Sequence, residues 1–295
     1  MVLRPEARML EPLARAPRLT AATCDVRREV EVLDEFGQRR PLDVPVERPL
    51  TLLIDGAELV TLMTLGASPE LLVLGYLLNQ RLIADVGEIE SVKVDWDSGT
   101  ATACSRGGAH PFWTKLQGRP AGTGCGLGTV LGGSMDPLDA IRLPAAGVAR
   151  LGQRGLYRML EIMSEQESLH RSAGSVHGCA LFRSAELMAF VEDVGRHNAI
   201  DTLIGWMALH GVGGGDKVIY TTGRLSGEMV VKAAQIGVPI LASRNGVTAM
   251  GLDVARKLGM TLIGRAVKRR FFCYTGAERF DLEVQPPEAV KPGFA

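Results

Sequence analysis

The chain has no excess of either charge, since 33 Lys and Arg balance 33 Asp and Glu over 295 residues. A neutral chain exerts no long-range pull on nucleic acid or an anionic membrane, and neither is expected as a partner. Lysine is scarce: 7 of the cations are Lys and 26 are Arg. Arg presents a planar fork that matches phosphate and carboxylate, so local anion sites here are expected to be Arg sites. Long apolar runs are missing too. The longest helical one, Leu71–Leu78, falls far short of the roughly 20 residues needed to cross a bilayer. The first residues scatter Arg and Glu without the apolar core of a secretory signal, and the expectation is a cytoplasmic protein. Five cysteines (Cys24, Cys104, Cys125, Cys179, Cys273) at wide spacing, with no CxxC, exclude a disulfide scaffold and a four-thiolate zinc site. No metal site is expected. A phosphate-binding GxxxxGK[ST] loop is absent, and Gly122, Gly124 and Gly126 complete no GxGxxG. Gly211 to Gly215 precede a strand instead of following one, the wrong order for a dinucleotide turn.

With 46% hydrophobic and 22% charged residues, the composition is that of a folded chain of one or two domains. Residues 1–28 mix Arg, Pro and Ala without period and read as a flexible tail. Leu50–Ile54 and Glu58–Leu62 alternate around Asp55-Gly56, a strong hairpin signal. Ser68-Pro69-Glu70 opens a helix, with Ser as cap and Pro in the first turn. A second hairpin turns at Asp97-Ser98-Gly99. Residues 105–137 are rich in Gly and poor in apolar anchors, a long loop of the kind that is functional or mobile. An amphipathic helix is predicted over Leu156–His170. From Gly178 a hairpin leads into alternating elements: helix Asn198–Leu209, strand Lys217–Thr221, a helix from Ser226 to Gly237, strand Pro239–Ala242, helix Ala249–Leu258 and strand Thr261–Gly264. That order implies parallel pairing with right-handed crossovers. The expected fold class is α/β, a mixed sheet with flanking helices over 150–277. A smaller N-terminal α+β domain over 30–115 would pack its hairpins against one sheet edge. An active loop and linker over 116–149 joins them, and 278–295 is a tail.

Cys125 stands in Gly122-Thr123-Gly124-Cys125-Gly126, where glycines remove steric cover and a thiol can meet an incoming partner. The plain alternative is an incidental thiol in a loop. Glu192-Asp193-Val194-Gly195-Arg196-His197-Asn198 gathers acids, a cation, an imidazole and an amide at a strand-to-helix junction, more chemistry than a helix cap needs. Thr222-Gly223-Arg224-Leu225-Ser226 follows a strand and opens a helix, a geometry suited to anions. Arg265-Ala266-Val267-Lys268-Arg269-Arg270 is the densest basic run, either a solvated edge or a phosphate clamp at the carboxyl end of the last parallel strand. The two segments are therefore expected close together at one end of the sheet. His177, in Ser175-Val176-His177, reads as structural.

Glu192–Ala199, Thr222–Lys232 (TGRLSGEMVVK), Pro239–Ser243 and Tyr274-Thr275-Gly276 occur in the order found in the FdhD family, the formate dehydrogenase accessory sulfurtransferases or sulfur carriers, which this chain resembles over about residues 44–277. The resemblance implies a cytidine-deaminase-like core. It implies that a cysteine desulfurase loads sulfur onto Cys125 as a persulfide. That sulfur passes to the molybdenum (or tungsten) bis-molybdopterin guanine dinucleotide cofactor before insertion into the formate dehydrogenase catalytic subunit. Homodimers and pockets that accept guanine nucleotides as mimics are also implied. The cargo-binding set is then Arg265, Ala266, Val267, Lys268, Arg269 and Arg270 with Thr222, Gly223, Arg224 and Ser226. Asp193, His197 and Asn198 join it, with Asp193 and Asn198 as guanine contacts. The chain departs from the family pattern at Gly128, where a second loop cysteine is usual, and at Asn245-Gly246-Val247-Thr248, Asn79-Gln80-Arg81 and Arg265. The alternative function is a non-catalytic cofactor-binding chaperone dedicated to one formate dehydrogenase. Zinc-dependent deamination is excluded, since H-x-E and P-C-x-x-C are both missing.

Overall fold

Period-two alternation becomes β structure over the first hundred residues. The computed structural model describes residues 2–3, 10–107, 136–166 and 168–283. Its first strands are β1 (Val2–Leu3), β2 (Arg18–Leu19), β3 (Arg27–Leu33), β4 (Arg39–Pro45), β5 (Arg48–Ile54), β6 (Ala57–Thr64), β7 (Ile89–Asp95) and β8 (Thr100–Ser105). Five of them form one sheet in the order β2-β7-β8-β5-β6, while β3 and β4 make a separate hairpin. The β5–β6 turn places Asp55 and Gly56 at φ +47° and +83°, both left-handed, which is why Asp-Gly is chosen there. The Asp55 carboxylate accepts from the Ser105 N–H (2.8 Å) and hydroxyl (2.6 Å), fastening the turn to β8. Leu50, Leu52, Ile54, Val92, Ala101 and Ala103 are buried beneath α1 (Pro69–Asn79).

The second half carries β9 (Leu151–Gly152), α2 (Gln153–Glu165), α3 (Leu169–Ser172), β10 (His177–Arg183), β11 (Glu186–Asp193), α4 (Arg196–Leu209) and β12 (Lys217–Thr221). After these come α5 (Gly227–Gln235), β13 (Ile240–Ser243), α6 (Ala249–Leu258), β14 (Thr261–Val267), β15 (Arg270–Thr275) and β16 (Phe280–Asp281). The main sheet runs β1-β11-β10-β12-β13-β14-β15, parallel between β12, β13 and β14 and antiparallel elsewhere. Residues of α4, α5 and α6 fill one core against the sheet, and α2 packs Leu156, Met159 and Leu160 into a second with Phe182, Tyr220 and Ile263. This is the expected mixed sheet with flanking helices. Among the described residues no helix is long and apolar enough to cross a membrane.

Three expectations change. Residues 10–28, read as a loose tail, lie against the N-terminal sheet. The Ala22 N–H and Thr20 hydroxyl donate to Glu70 at 2.7 Å, and the Trp96 indole N–H donates to the Ala22 carbonyl at 2.6 Å. Such anchors are distant in sequence and leave no local period. The predicted 156–170 helix is two helices. Glu192 accepts from the Leu169 and His170 N–H groups (2.8 and 2.9 Å), and a Ser168 hydroxyl cap starts α3 separately. Finally, the N-terminal hairpins do not join an edge of the main sheet. The halves meet through α1 against α4, a crossing so close that a Cβ on Gly75 would lie 1.8 Å from the Asp201 carbonyl oxygen. A Cβ on Gly205 would lie 2.0 Å from the Leu71 carbonyl oxygen.

Gly205→Ala should therefore lower stability by about 2 kcal/mol in urea titration, since overpacking exceeds the gain in helix propensity. Gly213→Ala, with nothing within 4 Å of its added Cβ, is the control and should change little.

Candidate functional site

The Glu192–Asn198 junction is built inward. Asp193 is 3% exposed, and its carboxylate accepts from the Thr64 hydroxyl (2.5 Å), the Leu65 N–H (3.3 Å), the Gly195 N–H (3.2 Å) and the Asn198 amide (2.9 Å). The same Asn198 amide donates to the Met63 carbonyl at 2.7 Å. Burial raises the Asp193 carboxyl above its ordinary range, while the Thr64 and Asn198 bonds pull the other way. Asp193 and Asn198, expected as guanine contacts, thus have these groups engaged in tying the start of α4 to the end of β6.

One turn further along α4 a buried ionic cluster forms. The Lys232 ammonium donates to both Asp201 oxygens at 2.8 and 2.6 Å, and the Asn79 amide of α1 donates to Asp201 at 2.5 Å. Glu228 stands 3.5 Å from Lys232, and His197 Nε2 lies 3.2 Å from Glu228. All five residues are buried. Burial holds the His197 imidazole neutral, down to about 3, and the nearby Arg196 and Lys232 charges act in the same direction. Asp201 and Glu228 are pushed up by burial, which Lys232 opposes. The cluster joins α1, α4 and α5 in one register.

Around it the loops after the parallel strands are stitched together. The Asn245 amide donates to the Thr222 carbonyl (2.6 Å), the Ser243 hydroxyl to the Gly223 carbonyl (2.6 Å) and the Arg265 N–H to the Asn245 carbonyl (2.8 Å). Gly223 is needed because the Arg196 side chain would lie 2.8 Å from any Cβ there. His177 sits behind Thr222, bonded at 3.4 Å, and burial together with Arg196 lowers its basicity.

Beside these loops, between α2, α3 and the sheet, opens a cavity of about 490 Å³. Leu160, Met163, Phe190, Tyr220 and Ala266 give it apolar walls, and Thr222, Ser164 and Ser168 supply hydroxyls. Four cations line it: Arg171, Arg244, Lys268 and Arg269. Its single acidic lining residue, Glu161, is already 3.5 Å from Arg158. His170 Nδ1 lies 2.8 Å from the Val176 carbonyl and so donates, which leaves Nε2 to accept from Arg244 at 3.2 Å. Burial pushes the Tyr220 phenol up to about 12, so it presents an intact O–H.

Of the residues singled out from sequence, Thr222, Ala266, Val267, Lys268 and Arg269 meet in this cavity. Gly223, Arg224 and Ser226 continue the neighbouring loop, and His197 is in the ionic cluster. The 265–270 run is not a loop beyond the last parallel strand. β14 continues to Val267, a bulge puts Arg265 at φ +51°, and Lys268-Arg269 is the turn into β15, where Arg270 already belongs to the strand. Arg265 and Arg270 are exposed outside the cavity. Cys125 and Gly128 lie outside the described residues. Arg171 and Arg244 escaped the sequence reading. Arg244 follows the carboxyl end of β13, a position the strand-edge rule for α/β ligands would have marked.

Lys232→Met should cost about 3–5 kcal/mol, because it strands Asp201 as an unpaired buried charge. Losing Lys232 raises the Asp201 carboxyl further. The deficit should therefore be largest near neutral pH and shrink on acidification as Asp201 takes up a proton, which denaturant titrations at several pH values would read.

A model of the FdhD/NarQ family matches residues 45–281. The chain is similar to the sulfur carrier protein FdhD of Bacillus licheniformis, 34% identical over 233 residues that cover 79% of this chain and 88% of that protein. It is 30% identical over 237 residues to the sulfur carrier protein FdhD of Geobacillus kaustophilus, covering 80% of this chain and 89% of that one. A solved structure described as a formate dehydrogenase accessory protein from Desulfotalea psychrophila superimposes with a TM-score of 0.68 at 26% identity, covering 86% of this chain and 98% of that one. The match takes in strands β5 to β8, strands β10 to β15, the ionic cluster and the cavity, and the chain belongs to the FdhD/NarQ family.

Proposed function

We propose that this chain is a cytoplasmic sulfur carrier in formate dehydrogenase maturation. The Cys125 thiolate attacks the terminal sulfur of a cysteine desulfurase persulfide. The donor S–S bond breaks, the donor cysteine leaves as thiolate, and a new S–S bond forms at Cys125. The S–S bond at Cys125 then breaks, Cys125 leaves as thiolate, and the sulfur passes to the cargo bound on its way to the dehydrogenase, the molybdenum or tungsten bis-molybdopterin guanine dinucleotide, whose reduced metal supplies the two electrons. Family membership and the glycine-flanked Cys125 support the transfer. The observation that carries cargo binding is the meeting of Thr222 and the 266–269 segment in one cavity with Arg171 and Arg244. Its volume of about 490 Å³ suits one nucleotide-sized arm. Four cations facing one already paired acid favour a pyrophosphate, with Arg forks making charge-assisted bonds.

Incubation with a cysteine desulfurase and cysteine should add one sulfur atom to the protein by intact mass, and Cys125→Ala should not gain it. If Cys125→Ala still fully supports formate dehydrogenase maturation, the dedicated-chaperone reading replaces the carrier.

Arg244→Ala and Arg269→Ala should each weaken guanosine diphosphate binding by about 1.5 kcal/mol in calorimetry, and less at high salt. Arg270→Ala, outside the cavity, should leave affinity near the wild-type value.

A further inference from the structure

β3 and β4 form a sheet of their own, and no residue of either strand is buried. Two strands alone are marginally stable in water unless one face packs on something. The register gives the two faces opposite characters. Arg28 opposes Val44, Val30 opposes Leu42 and Val32 opposes Arg40, so these six share one face. The other face satisfies itself with ion pairs across the strands, Arg27 to Asp43 at 3.4 Å and Arg39 to Glu31 at 3.2 Å. The first face does not. Its four apolar residues belong to no described core cluster, and it carries no acid. Among the described residues Arg28 has no carboxylate within 4.0 Å. Arg40 reaches Asp34 only at 3.9 Å, and that carboxylate already accepts from the Phe36 and Gln38 N–H groups. At the turn, Phe36 is 79% exposed and Leu33 68%.

We propose that this face of the hairpin docks the protein that takes the cargo, in an apolar cleft with a carboxylate near each end. Arg40 opposes Val32, four positions along β3 from Arg28, so the two charges such a cleft must meet stand about 13 Å apart along the strands. Opposite charges placed there fix the register of the partner. Phe36 supplies an aromatic anchor of the kind that carries most of the energy of an interface. A second copy does not fit, because stacking the face on itself brings four Arg and no acid together. An anionic membrane does not fit either, because over residues 27–45 four Arg are outnumbered by five acids. The position of the hairpin names the recipient. Val26, whose carbonyl accepts from the Val46 N–H at the hairpin's base, packs against the cluster of Leu65, Leu169 and Val176. Leu169 opens α3, and the next two residues, His170 and Arg171, line the cavity. The hairpin is therefore rooted on the cavity wall, and a protein held by it stands beside the cargo. That this protein is the formate dehydrogenase catalytic subunit rests on the proposed function; the docking face does not.

Biolayer interferometry of the purified chain on the cofactor-free catalytic subunit should show binding that weakens as salt rises. Arg28→Glu with Arg40→Glu, and Phe36→Ser alone, should each weaken it at least tenfold with an unchanged circular dichroism spectrum. Glu29→Gln, on the ion-paired face, should shift it less than twofold. A p-benzoylphenylalanine placed at position 36 should cross-link to an apolar cleft of the subunit flanked by Asp or Glu, located by mass spectrometry. Equal affinity of the wild type and the two face variants overturns the proposal, as does a wild type that does not bind the subunit. So do cross-links from position 36 to a second copy, or flotation of the chain with phosphatidylserine vesicles that Phe36→Ser abolishes. The proposed function fails separately, if the wild type takes up no sulfur on Cys125 and binds no guanosine diphosphate. The hairpin variants should retain both at the wild-type level.

Discussion

Everything at the site depends on how closely α1 and α4 approach. Gly75 and Gly205 let the two backbones touch, and no side chain fits at either position without driving the helices apart. That contact brings Asn79 of α1 to Asp201 of α4 and lets Asp193 and Asn198 reach the end of β6. The start of α4 is thereby fixed from two sides. Arg196, at its first turn, then lies over Gly223, whose carbonyl is held by Ser243. Thr222, beside it, lines the cavity. A constraint between two glycines thus fixes where a loop residue lines the cavity.

The ionic cluster beneath this joint is a poor source of net stability. Withdrawing Asp201, Lys232 and Glu228 from water costs several kcal/mol per ion, which their mutual attraction offsets only in favourable geometry. An apolar core would hold α1, α4 and α5 equally well, but it would tolerate sliding of one helix along another. Bonds of 2.5–2.8 Å from Asn79 and Lys232 to one carboxylate accept a single register. The motif residues that carry the family resemblance, His197, Glu228 and Lys232 among them, serve that register from the interior.

Elements with a local cause were legible in the sequence. Asp55-Gly56 predicts its turn because both residues tolerate positive φ, Lys217–Thr221 is rich in the β-branched residues Val218, Ile219 and Thr221, and Gly259 ends α6 in the left-handed conformation at φ +64°. Features with distant causes were not. Residues 10–28 are held by Glu70 and Trp96, and α3 starts where Glu192 caps it. The polar richness of Glu192–Asn198 marked a special place, but composition cannot distinguish a group that faces a ligand from one that faces Thr64 and Met63. A third of the residues lining the cavity were legible for the same reason. The loops after β12 and β14 announce themselves by Gly, Ser and Arg at strand ends. Arg171 joins the cavity only because α3 breaks from α2, and nothing near it in sequence says so.

A chain of zero net charge can still select an anion if its charges are unevenly paired. Away from the cavity, Arg18, Arg27, Arg39, Arg150 and Arg154 each lie within 4.0 Å of a carboxylate. Among the described residues, Arg171, Arg244, Lys268 and Arg269 have no carboxylate partner. Arg244 is held instead by the His170 imidazole, with Nε2 at 3.2 Å. The balance of 33 against 33 charges conceals a local surplus around the cavity, from α3 to the carboxyl ends of β13 and β14. Such a surplus attracts little beyond a Debye length of about 8 Å, so recognition there works by contact, not by steering.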